Sequence, residues 1–273
     1  MTKKKEKFWI KKKVLITGAA GFIGANLTRE LIKLGADVHV LIKKTSNKWR
    51  LKEIAPHIKE YYCDLSNQKE IKKLVEKIKP KVIYHLATYG GRPFQQDINK
   101  VFKTNIEGTE NLLNALLPLE YESFINTGTS SEYGIKNTFM KETDILEPIT
   151  LYAATKASVT LLCQTFAKIH NKPIITLRLF SVYGYWEPPK RLISTINLCS
   201  LSGKTLKLTS GKEKHDFVFI EDVVGAYLKA AQQQNISGQI FNIGSGKQYS
   251  NDQVVTKTNK IFKNKLKVQK GAY

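Results

Sequence analysis

The sequence predicts a doubly wound α/β fold, in which a mostly parallel sheet is covered by helices on both faces and followed by a smaller C-terminal lobe. Three observations carry this. Short β-branched runs alternate with longer helical patterns as far as Phe180, and such alternation forces crossover connections between parallel strands. Glycines at strict three-residue spacing, Gly18, Gly21 and Gly24, follow the first run and open the first helical pattern. After Gly184 the alternation gives way to an irregular, glycine-punctuated stretch that could close over the strand ends, where open α/β sheets bind ligands.

In chain order, strands are expected at Lys13–Thr17, Val38–Ile42, Ile58–Tyr62, Val82–Ala87, Ser123–Thr127 and Ile174–Phe180. Helices are expected at Phe22–Leu34, Gln68–Ile78, Ile98–Leu117 and Tyr152–His170, where apolar residues recur at three- and four-residue spacing. One further helix is expected near Leu192–Leu201. The division is a basic tail over 1–12, a dinucleotide-binding domain over 13–184, and a mainly substrate-binding lobe over 185–273, of which about 217–243 returns to the first domain.

Composition narrows the function classes. With 42% hydrophobic residues the chain can bury a core, and no long apolar run predicts a membrane span. Three scattered cysteines, five scattered histidines and no CxxC or HExxH spacing leave a metal site unsupported. The charge is +21, which invites a polyanionic partner, yet only five of the 44 basic residues are arginine, the better phosphate and base reader. Solvated lysine faces are the plainer reading, and nucleic acid is not the expected partner. Seven lysines between Met1 and Lys13 precede a weakly apolar stretch, but the glycine triplet interrupts it, so a signal peptide is rejected and cytoplasmic residence expected.

The chemistry is concentrated in three places. Gly18-Ala19-Ala20-Gly21-Phe22-Ile23-Gly24 allows a tight turn and close backbone approach to a pyrophosphate at the positive end of a helix. At the end of the second strand, where an acid would accept from the ribose hydroxyls of NAD, stands Ile42, followed by Lys43 and Lys44. An absent acid and a present cation favour the 2′-phosphate of NADP, with NAD the close alternative. Asp64 is placed to accept from an adenine amino group, or else to cap the next helix. Tyr152 and Lys156 fall on one helix face, where an ammonium stabilises a phenolate and lets it exchange a proton with a sugar hydroxyl or carbonyl. One strand–helix unit earlier lies the hydroxyl cluster Thr127-Gly128-Thr129-Ser130-Ser131.

Taken in order, the glycine motif, His85-Leu86-Ala87, Asn105-Ile106-Glu107-Gly108-Thr109, Ser130-Ser131-Glu132-Tyr133-Gly134, the Tyr152/Lys156 pair and Arg178-Leu179-Phe180-Ser181-Val182-Tyr183-Gly184 make the chain resemble the extended short-chain dehydrogenase/reductases. These include epimerases and dehydratases of nucleotide sugars, and the resemblance runs from Val14 to about Ile261. It implies a Rossmann fold, Tyr152 as acid/base, Lys156 as its tuner and ribose ligand, and Thr129 as the catalytic hydroxyl. Leu65, Leu86, Ala87, Asn105 and Phe180 then join the cofactor set, and Thr88, Ser130, Ser131, Ser181, Lys214 and His215 the substrate set. It further implies a homodimer through Ile98–Leu117 and Tyr152–His170.

Departures refine the expectation. Family dehydratases carry an acid directly after the catalytic hydroxyl, where this chain has Ser130 and Ser131, and Glu132, one position on, is expected to point away from Thr129. A 4,6-dehydratase is therefore not expected. The family's pyrophosphate-gripping arginine is replaced in Lys214-His215-Asp216-Phe217, and the chain stops at Tyr273, earlier than family members usually finish. The leading expectation is a nucleotide-sugar epimerase or 4-keto reductase. A non-catalytic RNA-binding member of the fold and a reductase of small carbonyls are the alternatives.

Overall fold

The computed structural model describes residues 7–92, 94–263 and 266–272 of the 273-residue chain. It divides into two compact units, one running up to Leu179 and including Val224–Asn242, the other made of Phe180–Val223 and Ile243–Tyr273.

The first unit is built on a seven-stranded sheet ordered β10-β6-β5-β4-β1-β2-β3. Its strands are β1 (Lys13–Thr17), β2 (Asp37–Ile42), β3 (Lys59–Tyr62), β4 (Val82–His85), β5 (Ser123–Thr129), β6 (Ile174–Leu179) and β10 (Ile240–Ile243). β1 lies at the centre, parallel to β2 and to β4, with Leu15 opposite both His39 and Ile83. Covered on both faces, its Val14, Leu15 and Ile16 are fully buried, which is why the strand reads as a continuous apolar run rather than an alternating one. The order reverses at β1/β4, the switch point where open sheets of this type hold their ligands beyond the strand ends.

Helices α1 (Phe22–Lys33), α2 (Gln68–Ile78), α3 (Ile98–Phe102), α4 (Gly108–Leu116) and α5 (Leu151–His170) cover the sheet. Asn67 caps α2 by accepting from the Glu70 amide, and Thr150 caps α5 by accepting from the Ala153 amide. Both helices end on a left-handed residue, Lys79 and Asn171. The single helix expected over Ile98–Leu117 is interrupted by a π-helical turn, Lys103–Glu107, between α3 and α4. Leu15, Ile83, Leu112, Leu116, Phe124 and Ile174 belong to the main core.

The segment expected as a free basic tail is packed over its described part. Trp9 is fully buried with its ring 6.4 Å from that of Tyr84, and the Lys11 amide donates to the Gly35 carbonyl at 2.8 Å. One large aromatic among lysines suffices to pull the chain onto the sheet, because its burial outweighs the few solvated charges beside it. Residues 1–6 lie outside the described residues.

The second unit holds β7 (Ser181–Tyr183), β8 (Leu206–Lys207), β9 (Lys214–Phe219), β11 (Gln248–Ser250), β12 (Val268–Gln269), α6 (Leu192–Ser202) and α8 (Asn251–Ile261). β9 is flanked by β7 in parallel and β11 antiparallel, and a separate core forms around Ile196, Leu206, Val254 and Leu266. α7 (Ile220–Ala230) leads back into the first unit from Val224. No helix among the described residues is long and apolar enough to cross a membrane.

Candidate active site

The glycine loop joins β1 to α1. Gly18 has a φ of +72°, and a Cβ there would stand 2.6 Å from the Ala87 nitrogen, so only glycine lets the turn pass the end of β4. A Cβ on Gly24 would meet the Gly18 carbonyl oxygen at 2.4 Å. Gly21 is the N-cap of α1 and offers no side chain to cap it, so the helix end is bare at the switch point. This is the cradle a pyrophosphate needs, and the loop fits a dinucleotide. Phe22 is turned into the core and Ile23 is half-buried.

His85 fixes this loop from below. Its Nδ1 is 2.8 Å from the Thr17 hydroxyl and its Nε2 is 2.8 Å from the Thr109 hydroxyl, while Thr17 Oγ1 also accepts the Ala87 amide. Burial, with the Lys156 charge adding to it, brings the imidazole down to about 3, so it bridges the two hydroxyls as a neutral ring.

At the far edge β2 ends on buried Ile42, and the chain turns through Lys43-Lys44-Thr45-Ser46, closed by the Ser46 amide on the Lys43 carbonyl. Lys43 Nζ lies 3.0 Å from the Asp64 carboxylate, so two residues expected to bind the adenosine end bind each other. Asp64 also accepts from the Ser66 amide and hydroxyl. Desolvation pushes its carboxyl up, but the Ser66 amide and Lys43 outweigh that and hold it below its ordinary value. It does not cap the following helix, a task taken by Asn67. The Leu65 side chain belongs to the core and its carbonyl accepts from Asn111.

Asn105, expected to touch the cofactor, is only 2% exposed and spends its whole hydrogen-bonding capacity inside the protein. Its Oδ1 accepts from the Tyr89 amide and the Thr88 hydroxyl, and its Nδ2 donates to the Tyr89 carbonyl and Thr155 Oγ1. It is a strut between the loop after β4 and α5, and this use of Thr88 turns that hydroxyl toward Asn105 as well. The strut positions Tyr152: the Gly90-Gly91 backbone lies against its ring, and a Cβ on Gly91 would come within 3.4 Å of the ring edge.

Tyr152 is half-buried in the first turn of α5, and Lys156, one turn on, is 3% exposed. Desolvation pushes the Lys156 ammonium down and Glu132 draws it back up. α5 packs against β5, which ends at Thr129, and against the 3₁₀ turn Ser130–Tyr133 that follows it. Thr129 is half-buried and its hydroxyl accepts the Ser131 amide. Ser130 is half-buried and Ser131 exposed.

Glu132 does not point away from Thr129. Because residues 130–133 coil rather than extend, its carboxylate folds back and accepts the Thr129 amide at 2.8 Å. Its other oxygen accepts from Arg178 Nε at 2.7 Å, and Arg178 donates onward to the Tyr133 hydroxyl, which donates to Asn242 Oδ1. Glu132 and Arg178 are 0% and 1% exposed. Sequence reasoning missed this network, although a lone arginine in the otherwise uncharged strand Ile174–Leu179 requires a buried acidic partner.

The remaining expected residues belong to the second unit. Phe180 is half-buried against Gly244, Ser181 pairs with Phe217 in the β7–β9 register, and Lys214 and His215 are exposed on β9. Asp216, the next residue on β9, is buried and accepts from the Ser245 and Gly246 amides, anchoring the turn after β10. Among the described residues no cluster of His, Cys, Asp and Glu could hold a metal ion.

Comparison with known proteins places this geometry. A Bacillus subtilis protein described as an uncharacterized UDP-glucose epimerase, YtcB, is 30% identical over 89% of this chain and 80% of its own length. A UDP-glucuronate 4-epimerase of Thermodesulfobacterium geofontis is 30% identical over 85% of this chain and 75% of its own. A dTDP-glucose 4,6-dehydratase of Neisseria meningitidis is 28% identical over 89% and 74%. The crystal structure of UDP-glucuronic acid 4-epimerase from Bacillus cereus, in complex with UDP-glucuronic acid and NAD, superposes with a TM-score of 0.84 at 29% identity, over 94% of this chain and 85% of that one. The family model described as NAD dependent epimerase/dehydratase family matches residues 14–244, from β1 to the turn beyond β10, and the chain belongs to that family.

Proposed function

We propose that the protein is a nucleotide-sugar enzyme that oxidises or reduces a ring carbon, C4, of a nucleoside-diphosphate sugar, as an epimerase or a 4-keto reductase. The observation that carries this is a buried ammonium, Lys156, one helical turn from Tyr152 and on the helix that packs beside Thr129. Gly18, Gly21 and Gly24 would hold a dinucleotide at its pyrophosphate, and that group, when bound, would supply hydride acceptance and return. Tyr152 takes the proton of the sugar hydroxyl as hydride leaves the carbon, and gives a proton back when hydride returns. Lys156 stabilises the phenolate through that exchange, and the Thr129 hydroxyl holds the reacting oxygen. In an epimerase the keto sugar turns over between the two transfers. In a reductase only the return half operates.

NADP is the proposed dinucleotide, since no acid ends β2 and Lys43 and Lys44 stand in the turn that follows it; NAD, bound by the Bacillus cereus epimerase, is the alternative. Loss of water is outside the proposed reaction, because Ser130 and Ser131 replace an acid and Glu132 is committed to Arg178. Ser181, Lys214 and His215 belong to the second unit, which we assign to the sugar nucleotide, and Phe180, at its start, is kept as a proposed cofactor contact. Exposed Ile98, Phe102, Leu151 and Leu161 on α3 and α5 are the proposed homodimer face.

The test is product analysis by proton NMR after incubation with UDP-glucose or UDP-glucuronic acid and either dinucleotide. The expected product of the epimerase is the C4 epimer, and a 4-keto sugar offered with NADPH should give the hydroxyl compound. Unaltered stereochemistry at every ring carbon in all of these would overturn the proposal.

A further inference from the structure

The Glu132–Arg178 pair is absorbed by neither the cofactor site nor the proton chemistry, yet it touches the catalytic strand directly. Glu132 forms both halves of a capping box: its side chain accepts the Thr129 amide while the Thr129 side chain receives the backbone of the turn. Gly128 leaves the carboxylate its room, since a Cβ there would stand 2.7 Å from Glu132 Oε1. Arg178 in turn is held by the Tyr133 hydroxyl at 2.8 Å and by the Glu142 carbonyl at 3.4 Å. Removing two charges from water is costly, and such a pair is no stronger for stability than packed apolar side chains of the same volume. Its position calls for another explanation.

That explanation lies in the surroundings of Lys156. Three titratable groups act on or feel this ammonium. Burial pushes the Cys163 thiol up to about 12 and brings the His85 imidazole down to about 3, so both are neutral across the working range. Glu132, ion-paired with Arg178 at 2.7 Å, is the third, and it opposes the desolvation that pushes Lys156 toward its neutral form.

We propose that Glu132 is a positioning residue for proton transfer, one carboxylate oxygen fixing the Thr129 amide and the other anchored by Arg178, in the turn that packs against the helix carrying Tyr152 and Lys156. The inference rests on the catalytic reading of Tyr152 and Lys156 given above. Tyr133 and Asn242 extend the brace to β10, so the pair is held from two strands rather than by its own turn alone.

The test reads the ionisation of Tyr152 and needs no substrate. Phenolate absorbance near 295 nm is titrated in the full chain and in Tyr152→Phe, and the difference isolates one phenol. The same difference is taken in Glu132→Gln/Arg178→Gln, which removes both members of the pair and so strands neither without the other. It is repeated in Glu132→Met/Arg178→Met, which packs without polar groups should the first variant not fold. With the charge gone, Lys156 is neutral more of the time and the Tyr152 midpoint should rise by about one pH unit or more. A midpoint that stays with the parent's makes the pair merely structural and overturns the inference, while the catalytic reading stands. A parent midpoint at or above that of a free phenol, about 10, overturns the catalytic reading itself and the inference with it.

Discussion

Acid should unfold this protein through His85 in a calculable way. Free in the unfolded chain, an imidazole titrates near 6.5, whereas the folded state brings His85 down to about 3 because protonation would place a charge in the core, where the Lys156 charge also opposes it. The unfolded state therefore takes up a proton that the folded state refuses. The stabilisation is fully present above pH 6.5 and is lost as pH falls toward the folded value. At pH 5 the gap is about 1.5 pH units below the unfolded value, which at roughly 1.4 kcal/mol per unit costs about 2 kcal/mol relative to pH 7. His85→Gln keeps a donor and an acceptor for Thr17 and Thr109 but cannot titrate. Urea unfolding of parent and variant at both pH values isolates the effect, since contributions from His39 and the carboxylates are shared and cancel. The parent should lose about 2 kcal/mol more than the variant between pH 7 and pH 5. Equal losses would mean that His85 is protonated in the folded state, and would refute the neutral bridge.

Tyr152→Phe should lower turnover by about 10²–10⁴ while cofactor affinity stays within about tenfold, measured by steady-state kinetics and dinucleotide titration. Lys156→Met should lose on both counts, and Thr129→Val should slow turnover with little effect on dinucleotide affinity. Replacing Lys43 and Lys44 by alanine should weaken NADP by about 1–3 kcal/mol in calorimetry and leave NAD nearly untouched. Folding stability should hardly change, since the Lys43–Asp64 pair is exposed on both sides. Trp9→Ala should cost about 3–5 kcal/mol in denaturant unfolding, and a loss near zero would return the segment to the role of a free tail.

The strands and helices around the glycine loop were legible because each carries its own signal. β-branched runs sit between helical periods, Gly18 stands where a side chain would strike Ala87, and Gln68–Ile78 is bounded as its pattern requires. The positions of Tyr152 and Lys156 follow from helical spacing alone. Partnerships between distant segments were not legible. That Lys43 meets Asp64, that Asn105 closes on Thr88 and Tyr89, and that Glu132 folds back on Thr129 depend on strand order and on the coil of a four-residue turn, neither of which side-chain chemistry states. Trp9 misled for the opposite reason, as its lysine neighbours outvoted it in any average over the segment.

The π-helical turn at Lys103–Glu107 changes what an apolar repeat means on either side of it. In an unbroken α-helix Ile98 and Leu112, or Phe102 and Leu116, would lie only about 40° apart around the axis. Yet Ile98 and Phe102 are 55% and 46% exposed, while Leu112 and Leu116 are fully buried. A π turn accommodates one extra residue and so retards the helix by about 100°, enough to send a single stripe inward at one end and outward at the other. The segment therefore serves two surfaces with one periodicity. A one-residue deletion within the turn would let the segment run as an unbroken α-helix and still leave the two stripes about 140° apart, so the exposed and buried faces would both survive it.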